Sequence, residues 1–171
     1  MGEVLPPTHV DIDAILRALS RGGVEFVLIG GVAVGMHGAV RATKDVDIVP
    51  SPERENLERL ASVVRGLEGR QIGVDTEFLP HQPTGADGLD AGGSFQLATV
   101  HGQLDILQEG GAIPAYEELS AAAPETEYEG LALRYCSREH LIAMKRRAGR
   151  PLDLRDLEEL GADDPQLGGC R

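Results

Sequence analysis

The chain has 171 residues, a formal net charge of −12 and 42% hydrophobic residues. This length suits one domain with its own core, and we expect a single domain over residues 1–171. The negative charge argues against general DNA binding, because duplex phosphates would be repelled by most of the surface. No stretch reaches the roughly 20 apolar residues of a membrane span, and the N-terminus lacks a secretory pattern. Cys136 and Cys170 form no disulfide framework, so we expect a cytoplasmic protein without a membrane partner.

The first predicted elements lead to a glycine turn. Residues 1–8 are expected to be flexible, and apolar residues at helical spacing predict a helix over residues 11–21. The apolar run Phe26–Ile29 is short enough for a buried strand, and Gly30-Gly31 then requires a sharp turn into a short helix. The first N–H groups of that helix would point out of the turn, where a phosphate would fit.

The next predicted strand, residues 45–49, carries two acidic side chains. Its residues alternate between acidic and apolar, so Asp45 and Asp47 project from one face while the apolar residues enter the core. Two adjacent carboxylates are typical of a metal site. Beyond the strand, Ser51 as the N-cap and Pro52 at the first position predict a helix.

That helix is predicted to end at Gly66, and residues 68–93 show no clear pattern beyond a short strand near residues 77–79. Two apolar runs, Ser94–Val100 and Gln103–Gln108, then predict a hairpin around a two-residue turn.

The second run of this hairpin places Asp105 between two apolar residues. A buried carboxylate requires a cation or hydrogen-bond donors. Two interpretations are open: Asp105 bonds a nearby arginine, or it faces Asp45 and Asp47.

The C-terminal part of the chain is predicted to be mainly helical. A short helix over residues 114–123, a hairpin over residues 126–136 and a helix from Ser137 to Gly149 follow one another. A last helix over residues 151–160 is expected to bury its leucines. These are Leu152, Leu154, Leu157 and Leu160.

The acidic tail from residue 161 to residue 171 is expected to be flexible. Between the last two helices, the segment Lys145–Arg150 holds four positive charges on an otherwise acidic protein. Such a run is either a solvated basic face or a surface that contacts phosphate or RNA.

Taken in order, these motifs resemble a known family. A glycine pair followed by His-Gly, then Arg41-x-Thr43-x-Asp45-x-Asp47, and later Asp105 between apolar residues is similar to the DNA polymerase beta-type nucleotidyltransferase superfamily. Within it, the C-terminal LIAMKRRAGRPLDLRDLEEL resembles small bacterial nucleotidyltransferases, including AbiEii-type proteins of abortive-infection and toxin-antitoxin systems.

The resemblance implies an α/β (α+β) domain, with a small mixed β-sheet flanked by helices, that transfers an NMP from an NTP to a hydroxyl acceptor. Asp45, Asp47 and Asp105 would be the catalytic residues and would hold Mg²⁺ or Mn²⁺ for two-metal in-line transfer. RNA such as tRNA, a partner protein and a small molecule all stay open as acceptors. The alternative is a catalytically inactive binding module or antitoxin, against which the presence of all three carboxylates argues.

Further residues would bind the nucleotide. The backbone of Gly30-Gly31 would hold the β and γ phosphates, at a place where many members of the family have Gly-Ser. Lys145 and Arg41 would neutralise the triphosphate, unless Arg41 instead bonds its own loop. His37 and Thr43 are expected to support the site without taking part in the reaction.

Overall fold

A computed structural model describes residues 9–72 and 85–162 of the chain. Seven helices lie within these residues: α1 Ile12–Arg21, α2 Gly30–Met36, α3 Arg54–Gly66, α4 Ala86–Asp90, α5 Tyr116–Ala122, α6 Arg138–Ala148 and α7 Pro151–Glu159. The strands in the same part of the chain are β1 Phe26–Ile29, β2 Asp45–Pro50, β3 Arg70–Gln71, β4 Ser94–Thr99, β5 Gly102–Leu107, β6 Glu125–Tyr128 and β7 Leu131–Arg134. None of the described helices has the length and apolar character needed to cross a membrane.

The main sheet has five strands in the order β1-β2-β5-β4-β3, and β6 pairs with β7 in a separate hairpin. Strands β2 and β5 run parallel, while every other neighbouring pair in the sheet is antiparallel. The chain is therefore an α/β protein with a small mixed sheet and flanking helices, as the sequence predicts.

Helices cover both faces of the sheet. On one face, α1 and α3 pack against residues such as Leu28, Ile48 and Ile106. On the other face, α2, α5 and α6 pack against Val27 and Val49. Because side chains alternate along a strand, the acidic residues of β2 and β5 project toward the second face.

The start of α3 differs from the prediction. The helix begins at Arg54, with Glu53 and not Ser51 as its N-cap. Ser51 is buried, and its N–H donates to the carbonyl of Glu25, which precedes β1. Pairing with the segment before β1 thus continues past β2 to Ser51, whose Oγ accepts from the N–H of Glu53 at 3.4 Å, just before the helix begins.

Several predicted segments lie partly or wholly outside the described residues. The strand predicted near residues 77–79 is one of them, as are the N-terminal arm, residues 1–8, and all but two residues of the tail. The segment without a clear pattern contains the short elements β3 and α4.

Helix α7 has an unexpected orientation. Leu157 and Leu160 are buried as predicted, but Leu152 and Leu154 are half exposed, so the prediction was wrong for those two. Asp153 and Asp156 are buried in their place.

Candidate active site

Three carboxylates meet where β2 and β5 run side by side. The parallel register pairs Asp47 with Asp105 and Asp45 with Gln103. One carboxylate oxygen from each of Asp45, Asp47 and Asp105 lies within 4.8 Å of the other two. Asp105 thus faces the two acids of β2, and its carboxylate accepts a hydrogen bond of 2.9 Å from the Gln103 amide.

The electrostatics of this acidic cluster favour a cation. Burial and the neighbouring charges of Asp45 and Asp105 raise the pKa of Asp47 to about 7. Burial also raises the pKa of Asp105, although the hydrogen bond from Gln103 lowers it in part. Three oxygen donors that repel one another suit a hard divalent cation, because such a cation prefers oxygen ligands and removes the repulsion. The residues present therefore fit the Mg²⁺ or Mn²⁺ that the sequence predicts.

The turn after β1 brings backbone against these acids. Gly30 has a φ of +63°, and a Cβ placed on it would lie 1.9 Å from Asp47 Oδ2. Only glycine fits at this position, because any side chain would collide with the carboxylate. The backbone N–H of Gly31 lowers the pKa of Asp47 in opposition to burial, so in this structure that donor faces an acid of the cluster.

Thr43 occupies the space beside Gly31. Its Oγ1 donates to the carbonyl oxygen of Asp45 at 3.0 Å and lies 3.1 Å from Asp45 Oδ1, which fixes the direction of that carboxylate. A Cβ on Gly31 would lie 2.6 Å from Thr43 Oγ1. The Gly-Ser pair of the resembled family would thus collide with Thr43 here, which explains a glycine at position 31.

A second cluster of charged residues, rich in cations, lies on α6, on α7 and in the loop before β2. Lys145 is buried, with Nζ 3.2 Å from Asp153 Oδ1 and 2.6 Å from Asp156 Oδ2. Arg41 Nη1 lies 2.6 Å from the same oxygen of Asp156, so Arg41 pairs with α7 and not with its own loop. Arg150 Nε lies 2.7 Å from Asp153 Oδ2. We call these five residues the cationic cluster.

A cavity of about 100 Å³ lies between the acidic cluster and the cationic cluster. Its polar lining comes from both, and its apolar lining from the end of β5 and from α6. The polar residues at its wall are Gly30, Asp47, Lys145, Arg150 and Asp153. The positive charge of Lys145 lowers the pKa of Asp47 in opposition to burial, as expected for two side chains that line the same cavity.

The basic run at the end of α6 is divided by the structure. Lys145 points into the protein, whereas Arg146 and Arg147 are exposed. Arg146 Nη2 donates to the carbonyl of Ala162 at 2.9 Å. Of this run, Lys145 and Arg150 therefore line the cavity, while the two arginines between them lie on the surface.

His37 has a structural environment. Its Nε2 lies 2.9 Å from the carbonyl oxygen of Cys136, and its ring meets that of Tyr135 edge to face, with centroids 5.1 Å apart. These contacts hold the end of α2 against the segment that follows β7.

Sequence reasoning missed Arg150, Asp153 and Asp156 as individual members of the site. The available signal was the spacing of the two aspartates, three residues apart on one helix face directly after a basic run. It was overlooked because the four leucines of α7 offered a simpler apolar pattern.

No protein-family model and no curated protein sequence matches this chain significantly. Solved structures do match. The solution structure of the antibiotic-resistance factor ANT(2'')-Ia aligns with a TM-score of 0.57 and 20% identity over 92% of this chain and 82% of that one. The crystal structure of ANT(2'')-Ia in complex with adenylyl-2''-tobramycin aligns with a TM-score of 0.55 and 20% identity, over 92% and 87% of the two chains.

The lincosamide antibiotic adenylyltransferase LnuA, in a lincomycin-bound crystal structure, aligns with a TM-score of 0.57 and 20% identity. This match spans 90% of the present chain and 98% of LnuA. At such identities the likeness shows the fold, and the present chain has the nucleotidyltransferase fold.

Proposed function

We propose that the protein transfers a nucleoside monophosphate from an NTP to a hydroxyl acceptor. The observation that carries this proposal is the meeting of Asp45, Asp47 and Asp105 within 4.8 Å on adjacent strands of a nucleotidyltransferase fold. A purely structural role would not explain why Asp47 and Asp105, whose pKa values are raised, lie beside Asp45 without an ion pair to any of the three acids within residues 9–72 and 85–162.

In the proposed mechanism, Asp45, Asp47 and Asp105 hold Mg²⁺ or Mn²⁺, which when bound supplies Lewis-acid stabilisation to the phosphates. Asp105 accepts the proton of the acceptor hydroxyl. The resulting oxygen forms a bond to the α-phosphorus in line with the bond to pyrophosphate, and that second bond breaks as pyrophosphate leaves with its electron pair. The raised pKa of Asp105 makes its carboxylate a stronger base than that of an ordinary aspartate, which favours proton acceptance.

The cationic side of the cavity would bind the departing pyrophosphate. Lys145 and Arg150 line that side, and their charges would neutralise the negative charge that develops on the leaving group. Gly30 and Gly31 would reach the β and γ phosphates only through their backbone N–H groups, because Asp47 and Thr43 fill the space where their side chains would lie. Arg41 would contribute through the same cluster, since it shares Asp156 with Lys145.

A small molecule is the acceptor class that we propose to test first. One structural neighbour is in complex with adenylyl-2''-tobramycin and another is named a lincosamide antibiotic adenylyltransferase, which suggests ATP as the nucleotide and a hydroxyl-bearing small molecule as the acceptor. The net charge of −12 would attract a cationic acceptor and repel RNA, which makes tRNA a poorer candidate. A toxin-antitoxin role, a partner protein and the cytoplasmic location rest on the sequence alone and stay predictions.

Calorimetric titration with ATP, GTP, CTP and UTP, each with Mg²⁺ and with EDTA, tests the proposal. We expect binding of at least one NTP with Mg²⁺ and a large loss of affinity with EDTA, since the acidic cluster repels a bare triphosphate. Asp45→Asn should abolish the gain in NTP affinity that Mg²⁺ provides. Glu117 is an exposed carboxylate on α5, so Glu117→Gln is the matched control. If no NTP binds in a metal-dependent manner, the proposal is wrong.

Candidate acceptors can then be screened with the NTP that binds. An NTP labelled at the α-phosphate should transfer its label to the acceptor and release pyrophosphate. Aminoglycoside and lincosamide antibiotics and bulk tRNA represent cationic, weakly charged and anionic acceptors. Transfer to tRNA alone would refute the small-molecule acceptor and retain the nucleotidyltransferase activity.

A further inference from the structure

Helix α7 buries two acidic residues and exposes two leucines. Asp153 and Asp156 are 2% and 3% exposed, whereas Leu152 and Leu154 are 51% and 50% exposed. A buried carboxylate loses its hydration, which costs free energy unless cations or donors replace the lost water. The contacts of the two aspartates must therefore outweigh the burial of the leucines, and these contacts determine how α7 sits on the protein.

Each aspartate is shared by two cations. Lys145 contacts both Asp153 and Asp156, Arg150 contacts Asp153, and Arg41 contacts Asp156. Two carboxylates thus hold three cations, which leaves the cationic cluster with an excess of positive charge. That excess faces the cavity at whose other side Asp47 lies.

The cations keep donors that the aspartates do not use. A lysine ammonium has three N–H donors, and the two carboxylates take at most two of those on Lys145. Arg150 directs Nε and Nη2 at Asp153, so its Nη1 edge points away from that aspartate. Arg41 Nε is buried and has no hydrogen-bond partner among the described residues. The cluster is thus held firmly and can still donate to an anion.

We infer that Asp153 and Asp156 are positioning residues for nucleotide binding, which hold Lys145, Arg150 and Arg41 in place before a triphosphate enters. This inference rests on the proposed function and extends it to two residues that do not themselves touch substrate. Cations that are already ordered bind phosphate more tightly, because binding then costs no side-chain entropy and no rearrangement.

Removal of one aspartate has two opposing effects. It deletes a negative charge near the triphosphate, which favours binding, and it releases a cation from its anchor, which opposes binding. The second effect dominates for Asp156, because Lys145 is only 6% exposed. Without Asp156 at 2.6 Å, the ammonium of Lys145 keeps only Asp153 at 3.2 Å, so its position at the cavity is less fixed.

Binding of α,β-methylene ATP with Mg²⁺, measured by calorimetry, tests the inference without any need for turnover. We expect Asp156→Asn to weaken binding about tenfold and Asp153→Asn to weaken it by a similar factor. Glu158→Gln removes the same charge from the exposed face of α7 and should leave the affinity within about twofold of the unmodified protein.

A double-mutant cycle shows whether Asp156 acts through Lys145. In a Lys145→Met background, Asp156→Asn should weaken binding by only about threefold or less. The loss that remains would come from Arg41, which Asp156 also holds. This double variant removes both charges of the pair and should keep the fold even if Asp156→Asn alone unfolds the protein. Thermal unfolding of every variant separates loss of fold from loss of affinity.

Three results would overturn the positioning role. One is a tighter affinity in Asp156→Asn, which would mean that the aspartate acts only through its charge. Another is an equal loss in both backgrounds, and the third is an unaltered affinity with a lower melting temperature or with none. If the unmodified protein binds none of the four NTPs, the proposed function itself is wrong, an outcome distinct from these three.

Discussion

The acidic cluster should make the metal-free protein less stable as pH rises, and replacement of Asp47 by asparagine should remove that effect. The pKa of Asp47 is raised from 3.8 to about 7 in the folded chain. The folded state therefore holds its proton more tightly than the unfolded state does. Stability is highest below the unfolded pKa and falls as pH rises toward the folded pKa, where the carboxylate must be charged among its neighbours.

The magnitude follows from the size of the shift. One pKa unit corresponds to about 1.4 kcal/mol, so a shift of about three units gives at most about 4 kcal/mol above pH 7. Relaxation and solvent around the partly exposed Asp47 reduce this, and we expect about 2 kcal/mol.

Urea unfolding in EDTA at pH values from 4 to 8 measures the effect. Asp47→Asn and the unmodified protein should be similarly stable near pH 4, and the variant should become the more stable by about 2 kcal/mol at pH 8. Mg²⁺ should reverse the order at pH 8, because it binds the folded unmodified protein and stabilises it by mass action. A stability difference between Asp47→Asn and the unmodified protein that does not change with pH would refute the reasoning. The control Glu117→Gln should differ from the unmodified protein by the same amount at every pH.

The remaining predictions concern single contacts of the site. Asp105→Asn should abolish label transfer while nucleotide binding in calorimetry stays within about threefold, because Asp45 and Asp47 still hold the nucleotide's own ion. Gly31→Ser should lower the free energy of unfolding in urea by about 1–3 kcal/mol, because the serine would collide with Thr43. The double variant Gly31→Ser with Thr43→Ala should recover most of this loss, and a Gly31→Ser variant as stable as the unmodified protein would contradict the prediction. Lys145→Ala should weaken NTP binding by about 1.5–3 kcal/mol, and Arg147→Ala should leave it unchanged; equal losses would remove Lys145 from the site.

The parts of the site that depend on local pattern could be predicted from the sequence. Alternation in β2 is a property of a few consecutive residues, so it correctly placed Asp45 and Asp47 on one face. The apolar neighbours of Asp105 indicated its strand in the same way. The glycine pair predicted the turn after β1, because few other residues tolerate the backbone that the turn requires.

The parts that depend on contacts between distant segments could not be predicted. The inward face of α7 is decided by Lys145 and Arg41, and Arg41 lies far from α7 in sequence. Apolar spacing alone favoured burial of Leu152 and Leu154, since a helical pattern carries no information on which charged residues of other segments contact the helix. The backbone of Ser51 is likewise engaged by a separate segment, since its N–H donates to Glu25, and the helix begins only at Arg54.

The parallel register of β2 and β5 couples the core to the chemistry. Leu104 and Ile106 enter the core on one face of β5, and Asp105 lies on the other. A shift of one residue in this pairing would exchange the two faces, so that the leucine and isoleucine would lie on the face of the acids and the carboxylate would enter the core beside α1 and α3. The same register is thus required for a stable sheet and for the acidic cluster. Selection for a stable sheet would therefore keep positions 45, 47 and 105 together, whereas the acids at these positions lower the stability of the metal-free protein and must be retained for another reason.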